Sequence, residues 1–568
     1  VFLRDQLAIG HVVNGPALIM EPHQTIVVED GWRAEVTRRD HIVLTRYKKL
    51  ARRRAIGASA DPTMLEIFNN RFMSIAEQMG VTLQNTAMSV NIKERLDFSC
   101  ALFDADGQLI ANAPHIPVHL GSMDSSVATV IADNAGHIRK GDAFALNAPY
   151  NGGTHLPDIT VCAPVFDRAG KRILFWVASR GHHADIGGLA PGSMTPRATR
   201  IDEEGVYIDN FKLVENGRFR EKEFRALLAG ARYPARNPDQ NIGDIKAQIA
   251  ANAMGATLIG KMVDEFGLDV VSAYMRHVRD NAAESVARVV GALKDSTFES
   301  ITDQGARIKV RISVDSAHRT ATIDFTGTSP QRDSNFNAPE PVARAAVLYV
   351  FRVMVNDEIP INAGCLRPIK IIIPEGSMLS PRYPAAVVAG NVETSQMVTD
   401  TLFGALHAIG SAQGTMNNLT FGDDTYQYYE TICSGAPAGP GFNGASAVQT
   451  HMTNSRLTDP EVLELRFPVL LEDFHVRRGS GGRGEWNAGD GVSRTIRFLR
   501  PMDMAILSGR RIQRAFGVDG GEQGQLGRNL VRRLDGRVEE LQGCDQTRLE
   551  AGEAITIITP TGGGWGKA

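Results

Sequence analysis

Apolar and polar positions along this chain run mostly in short blocks, and long helical periodicity is confined to a few stretches. The first blocks, Ala17-Leu18-Ile19-Met20, Thr25-Ile26-Val27-Val28 and His41-Ile42-Val43-Leu44, are parted by Pro22-His23 and Asp30-Gly31, a pattern of short strands and turns. They predict a small β unit over residues 1–46, with too few strands to bury a core alone. At Asp61-Pro62 the pattern changes. An N-cap aspartate and a proline at the first helical position precede Phe68, Phe72, Ile75 and Met79, which share one helical face as far as Gly80. A new domain opens there. Residues 98–103 and 108–111 form a hairpin around Asp104-Ala105-Asp106-Gly107. Helical spacing returns with Ile245, Ile249, Ala250, Met254 and Leu258 after Gly243-Asp244, and again over residues 268–293. Ile308, Val310, Ile312 and Val314 then alternate, as do Ala321, Ile323 and Phe325, across a turn at Asp315-Ser316-Ala317, and a further helix is expected near 341–355. The fold class this implies is α+β (mixed α/β): a large β-rich, multi-layer module with amphipathic helices, preceded by a small β segment. Its divisions are a β unit at 1–46, a basic linker at 47–60 and a module at 61–568.

The strongest chemical signal is a second hairpin. Residues 159–166 are apolar and β-rich, Asp167-Arg168-Ala169-Gly170-Lys171 has turn chemistry, and residues 173–179 are apolar again. With the turn near Ala169, the start of one strand lies beside the end of the other. That brings His155 and Asp158 to the segment 180–185, and each side offers His-x-x-Asp. Neutral imidazole and carboxylate are the donors used by divalent Zn, Mn or Fe, and a catalytic ion needs about three of them plus an open position. His155, Asp158 and His182 suffice. Adjacent strand residues face opposite ways, so His182 and His183 are not both ligands.

Composition narrows the function. With 568 residues the chain can bury a large core, and its net charge of −3, from 61 Lys+Arg against 64 Asp+Glu, gives no electrostatic case for nucleic acid. The one basic run, Lys48-Lys49-Leu50-Ala51-Arg52-Arg53-Arg54, is short and isolated, as a solvated connector is. Five cysteines without a Cys-x-x-Cys pair argue against a zinc ribbon or a disulfide scaffold and suit a reducing cytoplasm. No run of eighteen apolar residues and no basic-then-apolar leader is present, so no membrane partner is expected. The chain begins at Val1 rather than Met, from which a continuation upstream is expected.

Gly479-Ser480-Gly481-Gly482-Arg483-Gly484 and Gly562-Gly563-Gly564-Trp565-Gly566-Lys567 look like phosphate loops, but Thr561 and Ala568 stand where the glycine and the magnesium-binding hydroxyl belong. Tight turns or backbone packing are expected instead. Three polar segments in apolar surroundings are candidates for lining a pocket: Asn391-Val392-Glu393-Thr394-Ser395-Gln396, Gln413-Gly414-Thr415-Met416-Asn417-Asn418 and Tyr428-Tyr429-Glu430-Thr431. Cys365 has no histidine near it in sequence and is expected to be an inert buried thiol.

Several long motifs together resemble the hydantoinase B/oxoprolinase family. They are residues 91–99 (Asn-Ile-Lys-Glu-Arg-Leu-Asp-Phe-Ser), 115–123 (His-Ile-Pro-Val-His-Leu-Gly-Ser-Met), the two His/Asp motifs, Glu203-Glu204-Gly205-Val206, residues 390–396 and 413–418, and the terminal glycines. Residues 1–46 look like the carboxy-terminal β tail of a hydantoinase A-like module, an ATPase. Tail and B module in one chain imply the fused arrangement of ATP-dependent 5-oxoprolinases. The resemblance implies ring opening of 5-oxo-L-proline to L-glutamate, with ATP and Mg on an upstream or partner half and a divalent metal on His155, Asp158 and His182. Asp185, His183 and Glu393 are then the candidate proton carriers. One departure is Asn147-Ala148-Pro149-Tyr150, where many members have Asn-Asp-Pro-Tyr. The expected partners are the ATPase half and a small cyclic amide, in a homo- or hetero-oligomer. An N-methylhydantoinase B subunit or an acetone- or acetophenone-carboxylase-type subunit would share the site and differ in substrate. A non-catalytic assembly subunit docking an ATPase is the alternative of another class.

Overall fold

The computed structural model describes residues 1–48, 59–357 and 359–568. Most of the basic run lies outside the described residues. The chain divides into two compact units, Val1–Ser59 and Ala60–Ala568.

The first unit holds two three-stranded sheets: Phe2–Leu3, Ala17–Met20 and Thr25–Val28 in one, Val12–Asn14, Trp32–Val36 and Ile42–Arg46 in the other. Val13, Ile19, Val28 and Ala34 form its buried apolar cluster. The strand Trp32–Val36, which the sequence reading did not assign, alternates inward Trp32, Ala34 and Val36 with exposed Arg33 and Glu35.

The second unit is layered. A seven-stranded sheet has the order Arg218–Phe219, Phe211–Glu215, Ala143–Leu146, Asp158–Phe166, Ile173–His182, Phe98–Asp104, Leu109–Asn112. The helices Pro62–Thr86 and Pro238–Phe266 pack against each other and against strands of this sheet. The short helix Met123–Asp133 also packs on its two central strands. A four-stranded sheet (Ser296–Ile301, Arg307–Asp315, Thr320–Asp324, Ile369–Ile372) shares one core with the helices Glu340–Val353 and Ser395–Leu406. A second four-stranded sheet (Gln427–Thr431, Asn418–Gly422, Met502–Leu507, Cys544–Leu549) and a five-stranded one (Val469–Val476, Val492–Phe498, Ala554–Ile558, Arg528–Arg532, Val538–Leu541) share another.

Helix ends differ from the sequence reading at two glycines. Asp61 caps the first helix by accepting from the Met64 N–H at 2.8 Å, but the helix continues through Gly80 to Thr86. A Cβ on Gly80 would lie 2.6 Å from His115 Nε2, so this glycine permits a close side-chain approach rather than ending the helix. The helix expected to open at Gly243 starts earlier, at Pro238, where Asn237 accepts from the Gln240 N–H at 3.2 Å. Gly243 lies against Met88.

The two glycine-rich segments pack backbone to backbone. A Cβ on Gly564 would lie 2.2 Å from Arg483 O and one on Gly484 would lie 2.4 Å from Trp565 O, which leaves no room there for a phosphate cradle. Cys365 is buried, and burial raises its thiol pKa.

Candidate metal centre

The hairpin that carries the site has the register expected from its turn: Asp158 pairs with His182, Ile159 with Gly181 and Thr160 with Arg180. Alternation then sorts the side chains. The Ser179 and His183 side chains meet Gln248 on the helix Pro238–Phe266, while Arg180 reaches Ser122 and Ser126 on the other face. His182 shares the face of Arg180 and Asp158.

On that face one carboxylate gathers three imidazoles. His155 Nε2 lies 3.1 Å from Asp158 Oδ1, His182 Nδ1 lies 3.0 Å from the same oxygen, and His119 Nε2 lies 3.0 Å from Oδ2. Asn391 Nδ2 also donates to Oδ2, at 3.0 Å, as does Thr154 Oγ1 at 3.3 Å. All these residues are buried. Burial works to raise the Asp158 pKa, but His119 and His155 beside it outweigh burial and hold the carboxyl well below its ordinary value. Burial lowers that of His182, against the pull of Asp158 and Asp97, and so favours the neutral ring.

Donor chemistry fits a divalent ion. The ligand atoms of His155, Asp158 and His182 lie within 4.8 Å of one another. His155 Nδ1 is 3.1 Å from the Val388 carbonyl, and a proton held there makes Nε2, which faces Asp158 Oδ1, the nitrogen that a metal ion would take. Nε2 of His155 and Nε2 of His182 are both buried without a hydrogen-bond partner. Buried polar atoms are seldom left so unless something else uses them.

The surroundings hold these groups in place. Glu204, from the Glu203-Glu204-Gly205-Val206 motif, accepts from the Val387 and Val388 N–H groups at 2.9 and 2.8 Å, and so pins the segment whose carbonyl orients His155. Tyr429 stacks on His182 with ring centroids 4.6 Å apart. Its hydroxyl donates to Asn418 Oδ1 at 2.9 Å, and Asn418 Nδ2 donates to Glu393 Oε1 at 2.8 Å. The other oxygen of Glu393, Oε2, is buried and unpartnered. Burial pushes the Glu393 pKa up to about 8.

Two of the expected proton carriers are elsewhere. Asp185 is bound by Arg236 Nη1 at 2.9 Å and by the N–H groups of Gly187, Gly192 and Arg236, so its lone pairs are committed to a loop. His183 has both ring nitrogens engaged, Nε2 with Gln248 at 3.2 Å and Nδ1 with Asn241 at 3.1 Å. His119 is the residue that the spacing of the hairpin does not disclose. It arrives from the helical turn Pro117–Leu120, outside the hairpin, and its only sequence signal is membership of the 115–123 motif. Ala148, of the segment Asn147-Ala148-Pro149-Tyr150, is buried. The adjacent Asn147 side chain bonds Leu156 O and Val206 O at 2.7 and 2.9 Å.

Fold and centre together define a layered α/β protein that presents a buried imidazole–carboxylate cluster at one end of a sheet hairpin. The chain belongs to the hydantoinase B/oxoprolinase family, whose model matches residues 61–568. It is 46% identical to 5-oxoprolinase 1 of Arabidopsis thaliana and 43% identical to 5-oxoprolinase of Dictyostelium discoideum, each over 100% of this chain but only 46% and 45% of those proteins. It thus spans about half the length of these relatives. The fold is shared with ATP-dependent caprolactamase from Pseudomonas jessenii, at TM-score 0.79 and 24% identity over 90% of this chain and 92% of that one.

Proposed function

We propose that this chain is the hydrolytic module of an ATP-dependent cyclic amidase that opens 5-oxo-L-proline to L-glutamate in the cytoplasm. ATP and magnesium belong to an upstream or partner hydantoinase A-like half, of which residues 1–46 are the β tail and 47–60 the basic linker. The observation that carries the reading is the convergence of His155, Asp158 and His182, with His182 Nε2 unpartnered and His155 Nε2 facing the Asp158 carboxylate without a hydrogen bond. The names of the relatives support the substrate over a hydantoin or a ketone.

The ATP-using half would activate the amide oxygen by phosphorylation, and this chain would add water to the activated carbon. A divalent ion (Zn, Mn or Fe) on His155, Asp158 and His182 would supply Lewis acidity and bring the pKa of water toward neutrality. The chain's own groups do the rest. Val388 fixes the tautomer of His155, and the buried Asp158 stays anionic between its imidazoles. Asn391 Oδ1, buried and unpartnered while its Nδ2 holds Asp158, accepts an N–H from the ring being opened. Glu393 holds its proton at neutral pH and offers Oε2 for giving it up. Burial of the whole cluster keeps bulk water from the activated substrate.

The test is reconstitution of the chain with its ATP-using half. Glutamate release should need ATP, stop on chelation and return when metal is restored. Glutamate formation by this chain without ATP, or full activity after metal removal, would contradict the reading.

A further inference from the structure

Arg180 stands two residues before His182 on the same sheet face and is fully buried. Its Nε donates to Thr160 Oγ1 at 2.7 Å, Nη1 to Ser122 Oγ at 2.5 Å and Nη2 to Ser126 Oγ at 2.8 Å. Each hydroxyl passes the connection on. Thr160 lies on the strand of Asp158. Ser122 Oγ donates to the carbonyls of Val118 and His119 at 2.8 and 3.0 Å, and Ser126 Oγ donates to Gly152 O at 2.6 Å, in the loop that leads to His155. One guanidinium therefore braces the segments of His182, Asp158, His119 and His155.

These hydrogen-bond partners are all neutral. A buried guanidinium is ordinarily bonded to a carboxylate, as Arg494 is to Glu430 at 2.8 Å elsewhere in this protein. Here Asp158 and Asp124 act on Arg180 only through space. Asp158 and Asp124 thus offset Arg180 without a hydrogen bond from either when the cluster is empty of metal. Two neutral imidazoles and one carboxylate holding a divalent ion next to Arg180 leave an excess of positive charge in a dry site, and such an excess draws in a counter-charge.

We propose that Arg180 is a positioning residue that braces the cluster and biases the metal-loaded centre toward an anionic oxygen ligand, a carboxylate or a phosphoryl group. The proposal rests on the metal reading above and adds the ligand class. Its test is calorimetric titration of the full chain with Mn²⁺, then of the loaded chain with inorganic phosphate and, separately, acetate. The two anions distinguish a phosphoryl from a carboxylate preference. Arg180→Gln should bind Mn²⁺ at least about tenfold tighter, because a like charge is gone, and its preferred anion at least about tenfold more weakly. Arg180→Lys keeps the charge but gives up the forked bonds to Thr160, Ser122 and Ser126, so it should hold the preferred anion at least about threefold more tightly than Arg180→Gln does. Ser126→Ala removes one brace and leaves the charge, so the anion affinity should again stay within about threefold; this arm stands even if Arg180→Gln fails to fold. Equal loss of anion affinity in the Gln and Lys variants, weaker Mn²⁺ binding by Arg180→Gln, or loss of anion affinity in Ser126→Ala would reduce Arg180 to a brace and overturn the proposal. A wild-type chain that binds no divalent ion would overturn the metal reading with it, and that result appears before any variant is made.

Discussion

The two His-x-x-Asp motifs that meet in the hairpin have the same spacing and opposite fates. Asp158, of the first, is ringed by His119, His155 and His182 and by the Asn391 amide. Asp185, of the second, is bound by the Arg236 guanidinium and three backbone N–H groups. Both carboxylates are buried, and burial sets the same problem for each. Asp185 meets it with a permanent cation and closes a loop, although burial still raises its pKa against the pull of Arg236. Asp158 solves it with imidazoles, which can exchange a proton for a metal ion. What separates a candidate centre from a structural one is the set of partners, and these come from distant segments.

Asp158→Ala should therefore have the largest effect, lowering divalent-ion affinity by at least about a hundredfold and abolishing ring opening, because a ligand is lost from a preformed site. Asp185→Ala should leave one ion per chain, measured by elemental analysis, and act on stability instead. Leaving Arg236 without its carboxylate should cost about 3 kcal/mol in denaturant unfolding. A third comparison uses pH. Burial raises the pKa of Glu204, behind His155, to about 8 from an ordinary carboxyl value of 4.5. Its contribution to stability is complete below about pH 4.5 and is lost as pH rises through about 8, since the unfolded chain ionises first. Glu204→Gln should remove that slope, which amounts to about 1.4 kcal/mol per pH unit. Unfolding curves at pH 5, 6, 7 and 8 decide it, and parallel wild-type and variant profiles would refute the buried neutral carboxyl. The smallest effect is expected of His183→Ala. Loss of its bonds to Gln248 and Asn241 should cost about 1 kcal/mol with the metal content unchanged.

The hairpin was legible because its signals are local: alternation, a turn at 167–171 and two histidines whose faces follow from strand geometry. The register of Asp158 with His182 follows from counting back from the turn. His119, Asn391 and Tyr429 were not legible as parts of one centre. Asn391 comes from a π-helical turn, Gly390–Thr394, and Tyr429 from the strand Gln427–Thr431 of another sheet, more than two hundred residues along the chain. Their polar segments stood out against apolar surroundings, but nothing local says which carboxylate they meet. The commitment of Asp185 to Arg236 was hidden for the same reason, fifty-one residues away. Gly80 misled because a glycine in a helical pattern can mark an end or a close contact, and His115 decides which only in three dimensions.

Metal titration of the purified chain tests the central claim most directly. The account predicts one tightly bound divalent ion per chain, retained in His183→Ala and Asp185→Ala and lost in His155→Ala, Asp158→Ala and His182→Ala with the fold intact by circular dichroism. Binding of the ion at wild-type affinity by Asp158→Ala, or no specific ion in a chain that supports ATP-coupled ring opening, would contradict it.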